Sequence, residues 1–229
     1  MVRIRKVTDV RAPANRTAMA EAEAVFRAGF PGIDPAEIDG LPQQLANPFA
    51  KRLVTELFVT EDGRGHVRAA AVLLYDTELA FAFLDLIAAA PGTRSGTGGA
   101  MYERLRQEAV ELGAHGLYFE CLPDDPDSCP DVQIRKQNAA RLAFYERFGA
   151  RPIEGTAYQA PVRPSDSDMP LLVFDGLGQY DLPGAEVLRR TVRVVLERKY
   201  SNLCPPEYVD LVAGSITDGG FALRPFRYL

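Results

Sequence analysis

A glycine-rich turn that leads into a helix constrains this chain more than any other stretch of its 229 residues. The turn reads TRSGTGGAMYERL from Thr93 to Leu105, and it follows an apolar run that is typical of a β-strand. A strand that passes through glycines into a helix presents free backbone N–H groups to an anion, and the missing side chains let the anion approach. The pattern predicts a phosphate-binding turn, although many folds share such a turn.

A second segment, residues 138–151, makes the interpretation more specific. It reads NAARLAFYERFGAR, with Tyr145 seven residues and Gly149 eleven residues after Asn138. We predict a helix that opens at Asn138 and ends near Gly149, because Asn favours helix starts and Gly favours helix ends.

The two segments together resemble the signature of the GNAT acetyltransferase superfamily. In that family a strand is followed by Arg/Gln-x-x-Gly-x-Gly/Ala, which opens the helix that binds the acetyl-CoA pyrophosphate. An Asn, a Phe-Tyr pair and a Gly come later in the chain. Gly96 and Gly98 match the two glycines, and Asn138, Tyr145 and Gly149 match the later segment. The resemblance covers roughly residues 1–175 and is sharpest over residues 84–151.

Two positions depart from the family pattern. Thr93 stands where the family has Arg, and Arg94 comes one residue later. A register shifted by one residue, with Thr97 and Gly99 as the matching pair, therefore stays open. The usual Phe after the later Gly is Ala150.

The resemblance implies an α/β (α+β) fold with a GNAT-like mixed, mostly antiparallel sheet flanked by helices over residues 1–175. Local patterns agree, since strand-like runs alternate with helical ones in the order that such a sheet needs. Glu61-Asp62-Gly63 predicts a hairpin turn. Strands are expected at residues 3–10, 53–60, 67–75, 79–88, 117–121, 152–156 and 171–174, and helices at 16–29 and from 35 to about Asn47-Pro48.

Residues 176–229 are expected to form a helical C-terminal extension. Residues 186–200 place Leu188, Val192, Val195 and Leu196 at the spacing of one apolar helix face. A further helix is predicted from Pro205-Pro206 through Val212. An apolar face of this kind is expected to pack on the domain or on a dimer mate.

Composition excludes several classes of function. The chain carries 26 Lys and Arg against 31 Asp and Glu, a net charge of -5, which argues against nucleic-acid and anionic-membrane partners. No run of about 18 apolar residues could span a bilayer, and the N-terminus lacks the apolar core of a signal peptide. Cys121, Cys129 and Cys204 are odd in number and widely spaced, so we expect reduced thiols, a cytoplasmic protein and no metal site.

The resemblance implies acetyl-CoA as the co-substrate and indicates which residues would contact it. Backbone N–H groups at the strand end would support the thioester, the turn would hold the pyrophosphate, and two residues of the later segment would meet the CoA arm. The expected contacts are Leu86, Ile87, Ala88, Ala89, Thr93, Arg94, Ser95, Gly96, Thr97, Gly98, Gly99, Asn138 and Tyr145. Two alternatives stay open: the alanines at the strand end are simply well packed, and Asn138 is an N-cap.

Tyr145 is the expected general acid, because a phenol is protonated at neutral pH and can donate to a leaving thiolate. The alternative is a core aromatic that packs with Phe144 and Phe148. Glu120, at the end of its strand, is the candidate general base, with Asp85 as a weaker one. A solvent-facing Glu120 and a water chain are the alternatives.

These inferences predict an N-acetyltransferase that moves an acetyl group to a primary amine of a small molecule, a polyamine or a lysine. Direct transfer in a ternary complex is expected, because no Cys lies in a motif with a His. A homodimer is possible. The alternative is a catalytically silent CoA-binding module whose C-terminal helices dock a partner. The acidic loop, residues 122–137, is expected to be solvated or, less favourably, to attract a cationic substrate.

Overall fold

The structure, a computed structural model, describes residues 3–47, 52–159, 169–200 and 203–229. It divides into two units, Met1–Ala114 and His115–Leu229, each with its own strands and helices. The predicted end of a helix at Pro48 lies outside the described residues, as do residues 160–168 of the predicted connection between the last two strands. No helix within the described ranges is long and apolar enough to cross a membrane.

The first unit is an antiparallel meander with helices packed on it. Its strands pair in chain order, β1 with β2, β2 with β3 and β3 with β4. The strands are β1 (Arg3–Val7), β2 (Val54–Glu61), β3 (Val67–Asp76) and β4 (Phe81–Ala89), and the helices are α1 (Pro13–Gly29), α2 (Pro35–Asp39), α3 (Leu41–Ala46) and α4 (Thr97–Glu111).

The predicted hairpin between β2 and β3 is confirmed. Asp62 closes its turn by accepting hydrogen bonds from the backbone N–H groups of Arg64, at 2.9 Å, and His66, at 3.1 Å. Gly65 takes the left-handed backbone, φ 84°, that such a turn needs. The helix predicted from Pro35 onwards is two short helices that meet at Gly40.

Helix α4 is held to the strands by buried charges. The Lys6 ammonium donates to Glu108 of α4 at 2.6 Å and to Glu56 of β2 at 2.8 Å. Arg104 donates to Glu108 from the same helix at 2.5 Å. Burial, opposed by the hydrogen bond from Lys6, raises the pKa of the Glu56 carboxyl. This cluster fixes the helix whose first turn is the glycine segment.

The second unit is also antiparallel, but its strands do not follow chain order. They lie in the order β5, β7, β6, β8. The strands are β5 (Leu117–Cys121), β6 (Arg151–Glu154), β7 (Leu171–Asp175) and β8 (Ala222–Leu223), and the helices are α5 (Val132–Glu146), α6 (Ala185–Val194) and α7 (Pro206–Ser215), with a 3-10 turn at Ala157–Gln159 and a π-helical turn at Val195–Lys199. The predicted fold class, a mostly antiparallel sheet with flanking helices and a helical extension, is confirmed.

The predicted apolar stripe of the extension is confirmed as a buried face. Leu188, Val192, Val195 and Leu196 are all at most 3% exposed. The extension lies in the same unit as β5, β6 and β7, and its last strand, β8, pairs with β6. The boundary after residue 175 stays a prediction, although the packing favours one unit that includes the extension.

The last residues of the chain contact α5, and the loop before it, through buried ion pairs and hydrogen bonds. Arg224, 2% exposed, donates to Asp124 at 2.7 Å and lies 4.0 Å from the carboxylate of Glu146. Glu146 also accepts the backbone N–H groups of Arg227, at 3.2 Å, and Tyr228, at 2.8 Å. The hydroxyl of Tyr228 donates to Asp124. One guanidinium thus serves two buried carboxylates.

We expect Arg224→Met to lower the free energy of unfolding by about 3–5 kcal/mol, because it removes the buried cation that faces both Asp124 and Glu146. Arg227→Met is the matched control. The Arg227 side chain is 48% exposed, so this substitution should lower the free energy of unfolding by less than about 1 kcal/mol. Urea unfolding followed by circular dichroism measures both. Similar small losses for the two variants would show that the carboxylates do not depend on Arg224.

Candidate active site

A β-bulge in β4 precedes the predicted cofactor segment. Val72 of β3 pairs with Leu86, whereas Leu73 pairs with Leu84, so Asp85 is an extra residue in β4. A bulge bends its strand and increases the local twist, and bulges are frequent beside active sites. The bulge therefore bends β4 just before its last residues, Leu86–Ala89.

The four residues after the bulge differ in their surroundings. Leu86 is buried, Ile87 and Ala88 are half-buried, and Ala89 is exposed. A Cβ added to Gly29, at the end of α1, would lie 2.7 Å from the Ala88 Cβ. The small side chain at Ala88 is therefore explained by packing of α1 on β4, as the packing alternative holds.

Thr93 anchors the start of the glycine turn. Its hydroxyl donates to the carbonyl groups of Arg68, at 2.9 Å, and Ala90, at 2.5 Å. The Arg94 carbonyl accepts the Thr97 hydroxyl at 2.8 Å and the Thr97 N–H at 3.3 Å. The side chains of Arg94 and Ser95 are exposed. Thr93 thus stabilises the turn through its hydrogen bonds. Arg94 carries a positive charge on an exposed side chain, where a ligand could contact it.

The start of α4 is an open row of backbone donors. Gly96 is the N-cap and has φ 89°, a left-handed backbone that suits glycine. Within the described chain no acceptor faces the N–H groups of Gly98 and Gly99. A Cβ on Gly96 or Gly98 would meet no atom of the described residues within 4 Å. Free N–H groups, a helix dipole and open space together fit a phosphate group.

The structure corrects the expected start of α5 and the N-cap interpretation of Asn138. The helix begins at Val132, and Asp131 caps it by accepting N–H groups of Gln133, at 2.8 Å, and Ile134, at 2.9 Å. Asp is as good an N-cap as Asn, and it occurs earlier in the chain.

Asn138 instead lies within α5, 4% exposed. Its amide donates to the Pro123 carbonyl at 2.9 Å and faces the Cys129 sulfur at 3.8 Å. It ties the connection between β5 and α5 to the helix.

Three of the four carboxylates in this connection also have partners within the second unit. Asp124 pairs with Arg224, Asp125 accepts the Ser128 N–H at 2.8 Å, and Asp131 caps α5. The loop is thus not simply solvated.

Tyr145 is a packed aromatic, and its role as general acid stays a prediction. It is 5% exposed, and its ring lies 4.3 Å from that of Phe119 and 5.0 Å from that of Phe144. Burial raises its pKa, so the phenol stays protonated far above neutral pH. Packing and a protonated phenol are compatible in the same residue.

Glu120 does not face solvent. Its side chain is 16% exposed. One carboxylate oxygen accepts the Tyr158 hydroxyl at 2.7 Å, the other accepts the Tyr200 hydroxyl, and the Lys199 ammonium lies 3.8 Å away. Burial and then the charge of Glu120 raise the pKa of Tyr158.

Glu120 and Tyr145 lie on opposite faces of β5. Phe119 contacts the Tyr145 ring, and Cys121 adds to the rise in the pKa of Tyr145. Side chains alternate along a strand, so Glu120, between those two residues, points to the other face. The two predicted catalytic residues would therefore reach a substrate from different directions.

Sequence reasoning missed the partners of Glu120. Tyr158 and Tyr200 follow it by 38 and 80 residues, and Lys199 precedes Tyr200. No motif joins them, so only the tertiary structure could reveal the cluster. Among the described residues no group of three or more His, Cys, Asp or Glu side chains could hold a metal ion.

The chain has the fold of the GNAT acetyltransferases. A chimeric spermidine N-acetyltransferase from Vibrio cholerae superposes with a TM-score of 0.55 at 16% identity, covering 78% of this chain and 97% of that one. The ribosomal-protein-S18-alanine N-acetyltransferase of Escherichia coli gives a TM-score of 0.50 at 19% identity, covering 76% and 92%. No protein-family model and no curated protein matches the sequence.

Two substitutions in the turn should change stability in opposite directions. Gly96→Ala should destabilise the protein by about 1–2 kcal/mol, because its backbone is left-handed. Gly98→Ala, in the helical first turn with open space around it, should be neutral or stabilise by about 0.4–1 kcal/mol. Thermal or urea unfolding of the pair tests this, and a larger loss for Gly98→Ala would contradict the geometry of the turn.

Proposed function

We propose that this chain is an N-acetyltransferase that moves an acetyl group from acetyl-CoA to a primary amine by direct transfer in a ternary complex. The observation that carries the proposal is the open row of N–H donors at the start of α4, in a chain with this fold. The two neighbours are named for an alanine and for spermidine, both of which are acetylated on amines. A small molecule, a polyamine or a lysine is the proposed acceptor class, and a cytoplasmic setting with reduced thiols is part of the proposal.

In this proposal the first unit binds acetyl-CoA. The N–H groups of the turn hold the pyrophosphate, and the exposed Arg94 adds positive charge beside them. The register that begins at Gly96 is favoured, because its backbone conformation favours glycine. Backbone of Leu86–Ala89, beyond the bulge, supports the thioester carbonyl.

Glu120 and Tyr145 carry the proton transfers in this proposal. The amine nitrogen attacks the thioester carbonyl carbon, the C–N bond forms and the C–S bond breaks. Before this attack the proton of the ammonium passes to Glu120, directly or through water, which leaves the neutral amine. Tyr145 protonates the CoA thiolate, and the second nitrogen proton, lost as the amide forms, restores the phenol. Asn138 contributes by holding the connection between β5 and α5, since its amide is engaged there.

Two of the three thiols, those of Cys121 and Cys204, favour direct transfer over an acyl-enzyme. Cys121 is buried, and burial raises the pKa of its thiol to about 12. Burial also raises the pKa of Cys204. A thiol must ionise to act as a nucleophile, so neither group is suited to a covalent step at neutral pH.

The alternative, a silent CoA-binding module that docks a partner through its C-terminal helices, has less support. This alternative was based on an apolar helix face that a partner protein would bury. That face is buried within the second unit, where Leu188 is 0% and Val192 is 1% exposed. The packing favours the enzyme.

Gly98→Glu should abolish acetyl-CoA binding, because its carboxylate would enter the row of N–H donors and repel the pyrophosphate. Gly63→Glu is the matched control, since a Cβ there also meets no described atom within 4 Å and the residue lies in a different turn, the hairpin between β2 and β3. Isothermal calorimetry with acetyl-CoA measures both. Unchanged affinity in a folded Gly98→Glu variant would remove the turn from the site.

Tyr145→Phe should lower kcat by roughly 10²- to 10⁴-fold while acetyl-CoA affinity stays nearly unchanged, because one acid is lost and the ring is kept. Thiol release from acetyl-CoA with spermidine, lysine, an aminoglycoside and an alanine-leading peptide identifies the best acceptor and measures the change. Tyr180→Phe, at a 42% exposed position, is the control. A loss of stability as large as the loss of activity would favour a packing role for Tyr145.

A further inference from the structure

Both oxygens of the Glu120 carboxylate are held by phenols from distant parts of the second unit. Tyr158, in the 3-10 turn, donates at 2.7 Å to one oxygen, and Tyr200, after α6, donates to the other. Tyr158 is 5% exposed. The carboxylate is therefore fixed in position and orientation.

Lys199 extends this arrangement. Its ammonium donates to the Tyr200 hydroxyl and lies 3.8 Å from the same Glu120 oxygen that Tyr200 contacts. The Lys199 side chain is only 10% exposed. The Tyr200 oxygen thus accepts from an ammonium and donates to a carboxylate, an order in which each hydrogen bond polarises the next.

The backbone that presents these two residues is a π-helical turn. Helix α6 passes into π geometry at Val195–Lys199, anchored by Val195 and Leu196, both 3% exposed. The Tyr200 N–H closes the turn on the Val195 carbonyl at 3.3 Å. A π-turn shifts the side chains that follow it relative to an α-helix, and such turns are frequent at functional sites.

Three other titratable groups of the described residues interact with Glu120 and add little charge at neutral pH. Cys121 and Cys204 interact with Glu120 electrostatically, and burial raises the pKa of both thiols. The pKa of Tyr158 is raised as well, by burial first. Lys199 therefore supplies the positive charge that faces the carboxylate.

We propose that Tyr200 and Lys199 are positioning residues for the general base Glu120, so that the C-terminal extension is part of the catalytic centre. This inference rests on the proposed function, since it assigns Glu120 the ammonium proton. Hydrogen bonds and a cation that face a carboxylate favour its ionised form. The extension thereby orients the Glu120 carboxylate and places a donor and a cation beside it.

Loss of a donor or a cation beside the Glu120 carboxylate should move the pH dependence of kcat to higher pH. Tyr200→Phe removes one donor to the ionised carboxylate and keeps the ring, so Glu120 should hold its proton to higher pH. The acidic limb of the kcat profile should move up by about half to one pH unit, and the loss of activity should shrink as pH rises. Lys199→Met should move the limb in the same direction, and Lys199→Arg should leave it in place.

The experiment records kcat and KM from about pH 5 to 9 for the full chain, with acetyl-CoA and the best acceptor of the amine panel. The variants are Tyr200→Phe, Lys199→Met, Lys199→Arg and Glu120→Gln, with Tyr180→Phe as the control. Circular dichroism checks folding, and calorimetry checks that acetyl-CoA affinity is unchanged. Lys199→Met keeps both phenols and carries the test if Tyr200→Phe does not fold.

A shift of the acidic limb in Tyr200→Phe and Lys199→Met, absent in Tyr180→Phe, supports the inference. A loss of kcat that is equal at every pH overturns it, because a purely structural role lowers activity without moving the limb. Full activity in Glu120→Gln overturns it as well, while the acetyltransferase proposal stands. Failure of the wild-type chain to release thiol with any amine of the panel refutes the proposed function itself, and the inference with it.

Discussion

Buried negative charge is the constraint that organises the second unit. Glu120 on β5, Asp124 just after it and Glu146 on α5 all lie largely away from solvent. A buried carboxylate is costly unless cations and hydrogen-bond donors surround it. The C-terminal extension supplies such partners in each case: Tyr200 and Lys199 for Glu120, and Arg224 for the other two.

This dependence changes how the extension should be understood. Its apolar stripe by itself is compatible with packing on the domain, on a second copy or on a partner. The stripe is buried in the unit, and the polar residues that follow it meet the strand and helix that carry the candidate acid and base. Removing the extension would take Arg224 away from Asp124 and Glu146. It would also take Tyr200 and Lys199 away from Glu120, which would keep only the donor Tyr158 among the partners described above. Its contribution to stability and its proposed role in catalysis therefore arise from the same contacts.

The glycine turn, unlike the buried carboxylates, depends mainly on local contacts. Its conformation is set by residues within a few positions of each other: Thr93 bonds to the Ala90 carbonyl, Thr97 bonds to the Arg94 carbonyl, and Gly96 supplies the left-handed N-cap. The one longer contact, from Thr93 to the Arg68 carbonyl, fastens the turn to the neighbouring strand. Such a segment can be recognised from sequence because nearly all the interactions that shape it are local.

The sequence by itself determined the elements whose signals are local: the hairpin at Asp62, the strand at 117–121, the glycine turn and the apolar stripe of α6. It also brought out Tyr145, through its spacing from Asn138 and Gly149. Local signals misled at α5: the pattern predicts a helix that opens at Asn138, whereas the helix begins at Val132, with Asp131 as its N-cap. Only the tertiary structure decided that Glu120 and Tyr145 face opposite sides of β5, and that Tyr158, Lys199 and Tyr200 surround Glu120. Those contacts join residues up to 80 positions apart, and their formation depends on how strands and helices pack, which no short pattern encodes.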